Sequence, residues 1–245
     1  MAKYQYGKHA LKGLGVGAFM SEVETRTEAI MQADDSIPCS EYQANRLAQA
    51  LHPKVQHVIV DQITDYNGVA KLYRVRPNVE KGTKRLAFFR AGMCVALTVP
   101  IEGSLATRTY CLTSAPERVF DADGGYYEFC VAGIPPEFGG FASYHLVTTL
   151  AIGAELELSE PRGSLYHTPL RDADHVIGVA LGTPTPFLSM AGAIVDGTED
   201  YRLTLLYEHM PMAPDLLTVE LDELAARSNG KVLVVHFLPC WPRAG

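Results

Sequence analysis

Arg108-Thr-Tyr-Cys-Leu-Thr-Ser114 is the stretch of sequence that decides the fold. Its residues favour a β-strand, in which side chains point alternately to the two faces. Arg108, Tyr110 and Ser114 would therefore share one face, which offers a cation, an aromatic ring and a hydroxyl in a line. Such a face suits a flavin dinucleotide, because a cation binds pyrophosphate and a ring packs on isoalloxazine. An amphipathic strand with one surface arginine explains the segment about as well.

A glycine-rich segment, Phe138-Gly139-Gly140-Phe141-Ala142-Ser143, follows and leads into a predicted helix. Glycines let the backbone approach a ligand, and the N–H groups at a helix N-terminus bind phosphate with help from the helix dipole. Ser143 would add a hydroxyl donor. The alternative is an ordinary glycine-rich turn in which Ser143 caps the helix.

Six short β-prone runs lie in and around these two segments. They begin at Val55, Leu72, Val95, Thr107, Tyr126 and Glu155. Turn dipeptides such as Asn67-Gly68 and Glu102-Gly103 separate them. Short strands at such intervals predict a closed, six-stranded antiparallel β-barrel, interrupted by one helix over residues 143–150.

The pattern changes after Tyr166 to alternating strands and helices. Apolar strands are predicted from Val176, Leu203 and Val232, and helices over residues 187–194 and 217–228. Near-continuous apolar strands joined by helices predict a parallel sheet that helices cover on both faces. Three strands are few for a doubly wound sheet, so we expect a truncated nucleotide-binding domain.

The N-terminal part of the chain has a different character. Residues 21–34 and 40–51 are predicted to be helical, with Ser40 as the N-cap of the second helix and Pro53 beyond its end. We favour a helical extension packed on the barrel over a docking arm for a partner, since a docking arm needs an exposed apolar face. The predicted domains are this extension over residues 1–53, the barrel over 54–168 and a partial NAD(P)-binding-like α/β domain over 169–245.

Composition excludes several classes of function. The chain has 245 residues, 47% of them hydrophobic, and a formal net charge of -7, so we expect no nucleic-acid binding. No apolar stretch approaches the roughly 20 residues that cross a bilayer, and the N-terminus lacks a secretory apolar core, so we expect a cytoplasmic protein without a membrane span. The five cysteines form no CxxC pair and the eight histidines form no HExxH motif, so no metal site is predicted.

Taken together and in this order, the motifs resemble those of the ferredoxin-NADP reductase superfamily, whose members bind FAD on a β-barrel. The resemblance covers about residues 55–236. Its flavin motif, Arg-x-Tyr-Ser and a further hydroxyl residue, is matched by Arg108, Tyr110 and Ser114. Its pyrophosphate motif, Gly-x-x-Ser, is matched by Gly140, Ala142 and Ser143. The turn that ends its barrel is matched by Glu160-Pro-Arg-Gly-Ser-Leu-Tyr166.

Two further segments, Tyr6-Gly-Lys-His-Ala-Leu-Lys-Gly13 and Leu51-His-Pro53, resemble a narrower anaerobe branch of the superfamily. Members of that branch carry an N-terminal helical extension and usually a C-terminal plant-type ferredoxin domain. We expect the extension here and not the ferredoxin domain.

The resemblance implies an FAD-binding oxidoreductase that exchanges electrons with NAD(P)H or with a partner redox protein or subunit. Arg108 would bind the FAD pyrophosphate, Tyr110 would pack along isoalloxazine, and Cys111 would face the reactive flavin nitrogen, where the family usually has Ser. Cys is the weaker hydrogen-bond donor, which would alter the flavin potential. Alternatively, Cys111 is only a small buried hydrophobe, and this is the interpretation we favour.

The resemblance also supplies the predicted site residues. The predicted catalytic positions are Cys111 and Ser114. The predicted cofactor-binding residues are Arg108, Tyr110, Cys111, Ser114, Gly139, Gly140, Phe141, Ala142, Ser143, Gly182, Thr183 and Thr185.

The nicotinamide site departs from the family pattern. Where the family has Gly-Gly-x-Gly-Ile-Thr-Pro, this sequence has Leu181-Gly182-Thr183-Pro184-Thr185-Pro186, with one glycine and an extra proline. Proline has no N–H and fixes its own φ, which compromises a phosphate cradle made of amides. The family's Cys-Gly-Pro-x-x-Met segment is not reached before Gly245, and Cys240 between two prolines is no substitute. We therefore expect FAD binding without independent oxidation of NAD(P)H; the alternative is a non-catalytic flavin-binding or scaffold relative, or a truncated reductase.

Overall fold

The computed structural model describes residues 16–32, 38, 41, 43–122, 124–209 and 216–238. The chain divides into two compact units, Met1–Ala48 and Gln49–Gly245. Helix α1 (Val16–Met31) lies in the first unit, and helix α2 (Gln43–Leu51) begins there. Both N-terminal helices are thus confirmed, although α1 begins earlier than predicted. The predicted cap Ser40 lies outside the described residues, and the packing and docking interpretations of these helices stay predictions.

The second unit opens with an antiparallel sheet whose core follows the period of the strand. Its strands are β1 (Val55–Tyr66), β2 (Ala70–Pro77), β3 (Cys94–Ile101), β4 (Ser104–Cys111), β5 (Tyr127–Ala132) and β6 (Glu155–Ser159). They pair in the order β4-β3-β6-β1-β2-β5. In β3, Val95, Leu97 and Val99 are buried and the residues between them are not, so every second side chain enters the core. The six strands match the six β-prone runs of the sequence.

The sheet curls until its two outer strands meet. Beyond the end of β4, Leu112 pairs with Phe129 of β5 in an antiparallel bridge. The N–H of Thr113 donates to the carbonyl of Glu128 at 2.8 Å beside this bridge. Leu112 and Phe129 are both fully buried in the barrel core. The predicted barrel is therefore confirmed, and a short seam rather than a long ladder closes it.

One helix, α3 (Phe141–Thr149), interrupts the barrel as predicted, and it packs on β5. Its buried side chains Ala142, Leu146 and Val147 join the barrel core. The helix starts at Phe141 rather than at Ser143, because Gly140 occupies the N-cap position. The glycine-rich segment thus forms the start of the helix itself.

A three-stranded parallel sheet follows the barrel, also as predicted. Strands β7 (His175–Gly182), β8 (Arg202–His209) and β9 (Val232–Phe237) pair in that order and are joined by α4 (Thr185–Val195) and α5 (Thr218–Arg227). Both helices pack on one face of the sheet, where Leu203, Leu205 and Leu221 are buried. Gly178 leaves room for Phe187 of α4 on this face, since a Cβ at residue 178 would lie 2.5 Å from the ring.

The prediction that helices cover both faces of this sheet is wrong for the described part of the chain. Side chains on the opposite face are open to solvent, with exposed fractions of 66% for Ile177, 71% for Leu181 and 56% for Leu233. The register places them together, because Ile177 pairs with Thr204 and Thr204 pairs with Leu233. Right-handed crossovers that advance in one direction put successive helices on the same side of a sheet. We call this apolar surface the bare face.

The barrel and the parallel-sheet region meet through α4. The hydroxyl of Ser189 donates to the carbonyl of Ser114 at 2.7 Å, and both residues are buried. Gly192 lies so close to the barrel that a Cβ there would be 3.0 Å from the Cβ of Ala115. Helix α4 is therefore held against the residues that follow β4.

None of the described helices combines the length and the apolar character needed to span a bilayer. No cluster of three His, Cys, Asp or Glu side chains among the described residues is placed to hold a metal ion.

Candidate cofactor site

Strand β4 presents two of the predicted flavin-motif residues on the barrel. Arg108 is exposed, and its Nη1 donates to the carbonyl of Thr107 at 2.8 Å. Tyr110 is partly buried, and its ring stacks on Phe129 with the ring centroids 5.8 Å apart. Burial raises the pKa of Tyr110, so its phenol stays neutral at physiological pH. The strand thus offers a solvent-facing cation close to a fixed, neutral ring.

A row of aromatic rings connects β4 to helix α3. Phe129 also stacks on Tyr73, with the centroids 5.8 Å apart. The hydroxyl of Tyr73 donates to the carbonyl of Leu146 in α3 at 3.0 Å. Tyr73 and Phe129 are fully buried, so their contribution is to support Tyr110 and α3 on one rigid core.

Helix α3 begins at a tight turn that requires a glycine. A Cβ on Gly140 would lie 2.0 Å from the carbonyl oxygen of Ile134, whereas Gly139 has open space around it and a φ of +83°. The hydroxyl of Ser143 donates to the carbonyl of Gly140 at 3.0 Å and accepts from the N–H of Ile134 at 3.3 Å. Within the described residues no side chain caps the first turn of α3. The first N–H groups of that turn are therefore available to a ligand such as an anion.

The side chains of Phe141 and Ala142 differ in what they offer to a ligand. Ala142 is only 3% exposed and belongs to the barrel core, so only its backbone faces the helix end. Phe141 is 44% exposed at the first position of the helix. Their roles in binding a cofactor stay predictions.

Ser114 lies beyond the strand that carries Arg108 and Tyr110. Strand β4 ends at Cys111, so the alternation assumed from the sequence stops before it reaches Ser114. The hydroxyl of Ser114 accepts from the N–H of Glu128 at 3.1 Å. The residue lines a separate cavity of about 390 Å³. Its observed contacts tie the barrel together, and its catalytic role stays a prediction.

Cys111 meets two side chains that are distant in sequence. Its Sγ lies 2.7 Å from the Sγ of Cys94 on β3, and the hydroxyl of Thr185 at the start of α4 donates to it. The hydrogen bond from Cys94, together with that from Thr185, lowers the pKa of Cys111 to about 7 against the opposing effect of burial. The same contact with Cys111, and burial, raise the pKa of Cys94. Because Cys111 is only partly buried and faces another sulfur, its interpretation as a small buried hydrophobe is wrong.

The three predicted nicotinamide-loop residues connect β7 to α4. Gly182 ends β7 with a φ of +84°, and the Tyr207 hydroxyl donates to its carbonyl at 3.5 Å. Thr183 and Thr185 are partly buried. Thr185 is the member of this set that contacts the predicted flavin strand, through Cys111.

The N-terminus of α4 has few free amides. Pro184 is its N-cap and Pro186 lies in its first turn, and neither has an N–H. The N–H groups of Phe187 and Leu188 both donate to the carbonyl of Pro184, at 3.0 and 3.1 Å. This end of the helix therefore offers few N–H donors to a ligand.

Sequence reasoning missed Cys94, although the sequence contained a signal for it. The turn dipeptide Glu102-Gly103 fixes a two-residue hairpin between β3 and β4, in which Ile101 pairs with Ser104. Counting outward from that turn brings Cys94 opposite Cys111. Thr185 was predicted as a nicotinamide residue, but its contact with Cys111 depends on how α4 docks and has no local signal.

Several known proteins are similar to this chain in sequence or in fold. No family model matches it. NADH-cytochrome b5 reductase 1 of Cryptococcus neoformans is 30% identical over 149 residues, which are 60% of this chain and 47% of that protein. The structure of flavohemoglobin from Malassezia yamatoensis with bound FAD and heme has a TM-score of 0.63 at 17% identity, covering 94% of this chain and 60% of that one. The cytochrome b5 reductase domain of Ulva prolifera nitrate reductase has a TM-score of 0.60 at 19% identity, covering 78% and 76%.

The sequence is thus similar to that of NADH-cytochrome b5 reductases, and the fold is the one predicted from the resemblance to the ferredoxin-NADP reductase superfamily. The chain has the expected six-stranded barrel followed by a parallel sheet. It spans about half the length of the curated relatives it matches. The narrower resemblance to the anaerobe branch stays a prediction.

Proposed function

We propose that this protein is an FAD-binding oxidoreductase that passes electrons between its flavin and a partner redox protein or subunit. The observation that carries the proposal is the presence, on one barrel, of exposed Arg108, the fixed ring of Tyr110 and the uncapped helix start at Gly140. The similarity to NADH-cytochrome b5 reductases and to a flavohemoglobin solved with FAD supports it.

The described residues fit both ends of such a cofactor. A diphosphate needs cations and N–H donors, which Arg108 and the first turn of α3 offer. A flat tricyclic ring needs a rigid apolar surface, which Tyr110 offers because Phe129 supports it from behind. Gly140 keeps the turn before α3 compact, since any larger residue would strike Ile134.

When bound, FAD would supply reversible uptake of two electrons, singly or as a pair. Arg108 would neutralise the diphosphate, and Tyr110 would orient the ring. Cys111 would lie where the superfamily usually has Ser, with its sulfur already engaged by Cys94 and Thr185. Electron transfer to a partner requires no proton-abstracting side chain, so this set of residues is sufficient for the proposed role.

We further propose that the protein does not oxidise NAD(P)H on its own. At the start of α4, Pro184 and Pro186 have no N–H to offer, and the following amides are bonded within the helix. A phosphate group there would find few donors. The residues present do not fit the diphosphate of a nicotinamide dinucleotide, so electrons would enter or leave through the partner.

The test of FAD binding is a visible spectrum of the purified protein, followed by identification of the released flavin. Replacing Arg108 by Ala should weaken FAD binding about 10- to 100-fold, because a hydrogen bond to a charged group is worth about 1.5–3 kcal/mol. The matched control is Arg202→Ala, which removes an exposed arginine from β8. A colourless protein whose melting temperature does not rise with added FAD would refute the cofactor assignment.

A non-catalytic flavin-binding or scaffold role is the alternative, and the prolines at the start of α4 favour it. Steady-state oxidation of NADH or NADPH with a dye acceptor separates the two roles. Turnover would exclude the scaffold role and also our proposal about NAD(P)H. Tight FAD binding without turnover, together with reduction of the flavin by a partner, would support the electron-transfer role.

A further inference from the structure

Cys94 and Cys111 form a pair of thiols at the hairpin of β3 and β4. They occupy directly opposed positions in the register of the two strands. Their sulfur atoms lie 2.7 Å apart, and both residues are partly exposed. The third described cysteine, Cys130, is buried.

The backbone around the pair has the geometry that a cross-strand disulfide needs. The N–H and the carbonyl of Cys94 are both bonded to Arg162, on the side away from β4, each at 2.7 Å. Cys94 and Cys111 are therefore a non-hydrogen-bonded pair, whose Cα atoms in an antiparallel ladder lie about 4.5 Å apart. Disulfides span Cα separations of about 4.4–6.8 Å. Closing a disulfide here requires no movement of the strands.

The two thiols have different chemical characters. Hydrogen bonds from Cys94 and Thr185 stabilise the thiolate of Cys111, and its pKa is lowered to about 7. A thiol with a pKa near the ambient pH is the most effective attacking group in thiol–disulfide exchange. By contrast, burial raises the pKa of Cys130, so that residue should be inert.

We propose that Cys94 and Cys111 are a redox-active dithiol that closes to an intramolecular disulfide by exchange with a small-molecule disulfide such as oxidised glutathione. The thiolate of Cys111 attacks one sulfur of the small disulfide and displaces one thiol. The sulfur of Cys94, whose proton leaves to solvent, then attacks the sulfur of Cys111 and displaces the second thiol. In the net reaction two cysteine thiols lose two electrons and two protons, and one small disulfide becomes two thiols.

This inference goes beyond the proposed function and does not depend on it. The exchange needs only the two strands and the small disulfide. If FAD also binds at β4, the oxidised and reduced states of the pair would place different atoms against it, since the sulfur of Cys111 either carries a hydrogen bond or is bonded to Cys94.

The test uses the purified full chain and a tryptic digest without reduction. Trypsin cleaves after Arg90, Arg108 and Arg118, so Cys94 and Cys111 fall in separate peptides, residues 91–108 and 109–118. After incubation with oxidised glutathione and blocking of free thiols, we expect these two peptides to appear joined, and to separate again after treatment with excess reduced glutathione. Joined peptides from another cysteine pair, or glutathione retained on Cys111 without closure, would overturn the proposal, as would no reaction at all.

Cysteine variants test the order of the two exchange steps. In Cys94→Ser the exchange should stop with glutathione bound to Cys111, and in Cys111→Ser it should be far slower than in the natural chain. The matched control Cys130→Ala should close the disulfide normally. The rate of Cys111 alkylation by iodoacetamide should rise most steeply near pH 7, and Thr185→Val should shift that profile to higher pH.

The visible spectrum of the same samples keeps this test separate from the test of FAD binding. A disulfide that closes in a colourless protein would support the dithiol and count against the cofactor. A yellow protein in which the two peptides are never joined would support the cofactor and count against the dithiol.

Discussion

The turn before helix α3 can be tested by placing Asn at each of its two glycines. By capping preferences alone, Gly140→Asn should stabilise the protein slightly, because Asn is a better N-cap than Gly. The φ of -88° and ψ of 27° at Gly140 are open to Asn as well. The structure predicts the opposite sign, because the new Cβ would lie 2.0 Å from the carbonyl oxygen of Ile134. The new Cβ would also lie 2.3 Å from the Cβ of Ile134, and carbon atoms pack favourably only at about 3.5 Å, so the turn must open by roughly 1.2 Å.

Overpacking of this kind costs about 1–3 kcal/mol. For a unit of this size, that corresponds to a fall in melting temperature of about 2–12 °C. The matched control is Gly139→Asn, because Gly139 has no atom near its Cβ direction and Asn tolerates its φ of +83°. The control should cost less than about 1 kcal/mol, because backbone strain at its positive φ is the expected penalty and Asn is among the residues that tolerate it best.

The two variants should be compared by thermal unfolding and by FAD titration. Opening the turn moves the first N–H groups of α3, so Gly140→Asn should weaken FAD binding while Gly139→Asn should not. If Gly140→Asn melts at or above the temperature of the natural protein, the steric argument is wrong. If it melts lower but binds FAD normally, the first turn of α3 does not hold the diphosphate.

Two further predictions concern the barrel and the bare face. Asp61→Asn removes the carboxylate that accepts from Arg74 at 2.9 Å and Arg76 at 2.5 Å, and should cost about 1.5–3 kcal/mol at pH 7 in urea denaturation. Burial raises the pKa of Asp61, but the hydrogen bonds from the two arginines outweigh it and hold the pKa below 3.8. The carboxylate therefore stabilises the protein above about pH 4, and this stabilisation is lost as the pH falls. A difference in unfolding free energy between the natural protein and Asp61→Asn that stays constant down to pH 3 would contradict this. Val179 on the bare face is 55% exposed, so Val179→Thr should change the free energy of unfolding by less than about 0.5 kcal/mol. The same variant should reduce self-association measured by light scattering. A loss of stability as large as that of a core residue would show that Val179 is covered.

The strands and the presence of the later helices could be predicted because their signals are local. Alternating or continuous apolar runs between turn dipeptides located all nine described strands. The start of α4 was placed late, at Phe187, because Pro186 was taken as part of the loop. Proline is compatible with the first turn of a helix, where its missing N–H has no acceptor in any case.

The arrangement of the site could be predicted only in part, because it depends on contacts between distant segments. The face of Ser114 was inferred by extending β4 beyond Cys111, but the ladder with β3 ends there and the chain turns to join β5. The bare face could not be foreseen, since the side on which α4 and α5 return is a property of the crossovers and not of any one strand. The opposition of Cys94 and Cys111, by contrast, followed from the hairpin and was available.

The bare face has a practical consequence for work with the purified protein. Contiguous apolar surface on a sheet favours association between molecules. Association of folded molecules, rather than unfolding, should therefore limit the concentration at which the protein stays in solution. Ammonium sulfate strengthens apolar contacts and should precipitate the protein early, whereas a trace of mild detergent should keep it monodisperse.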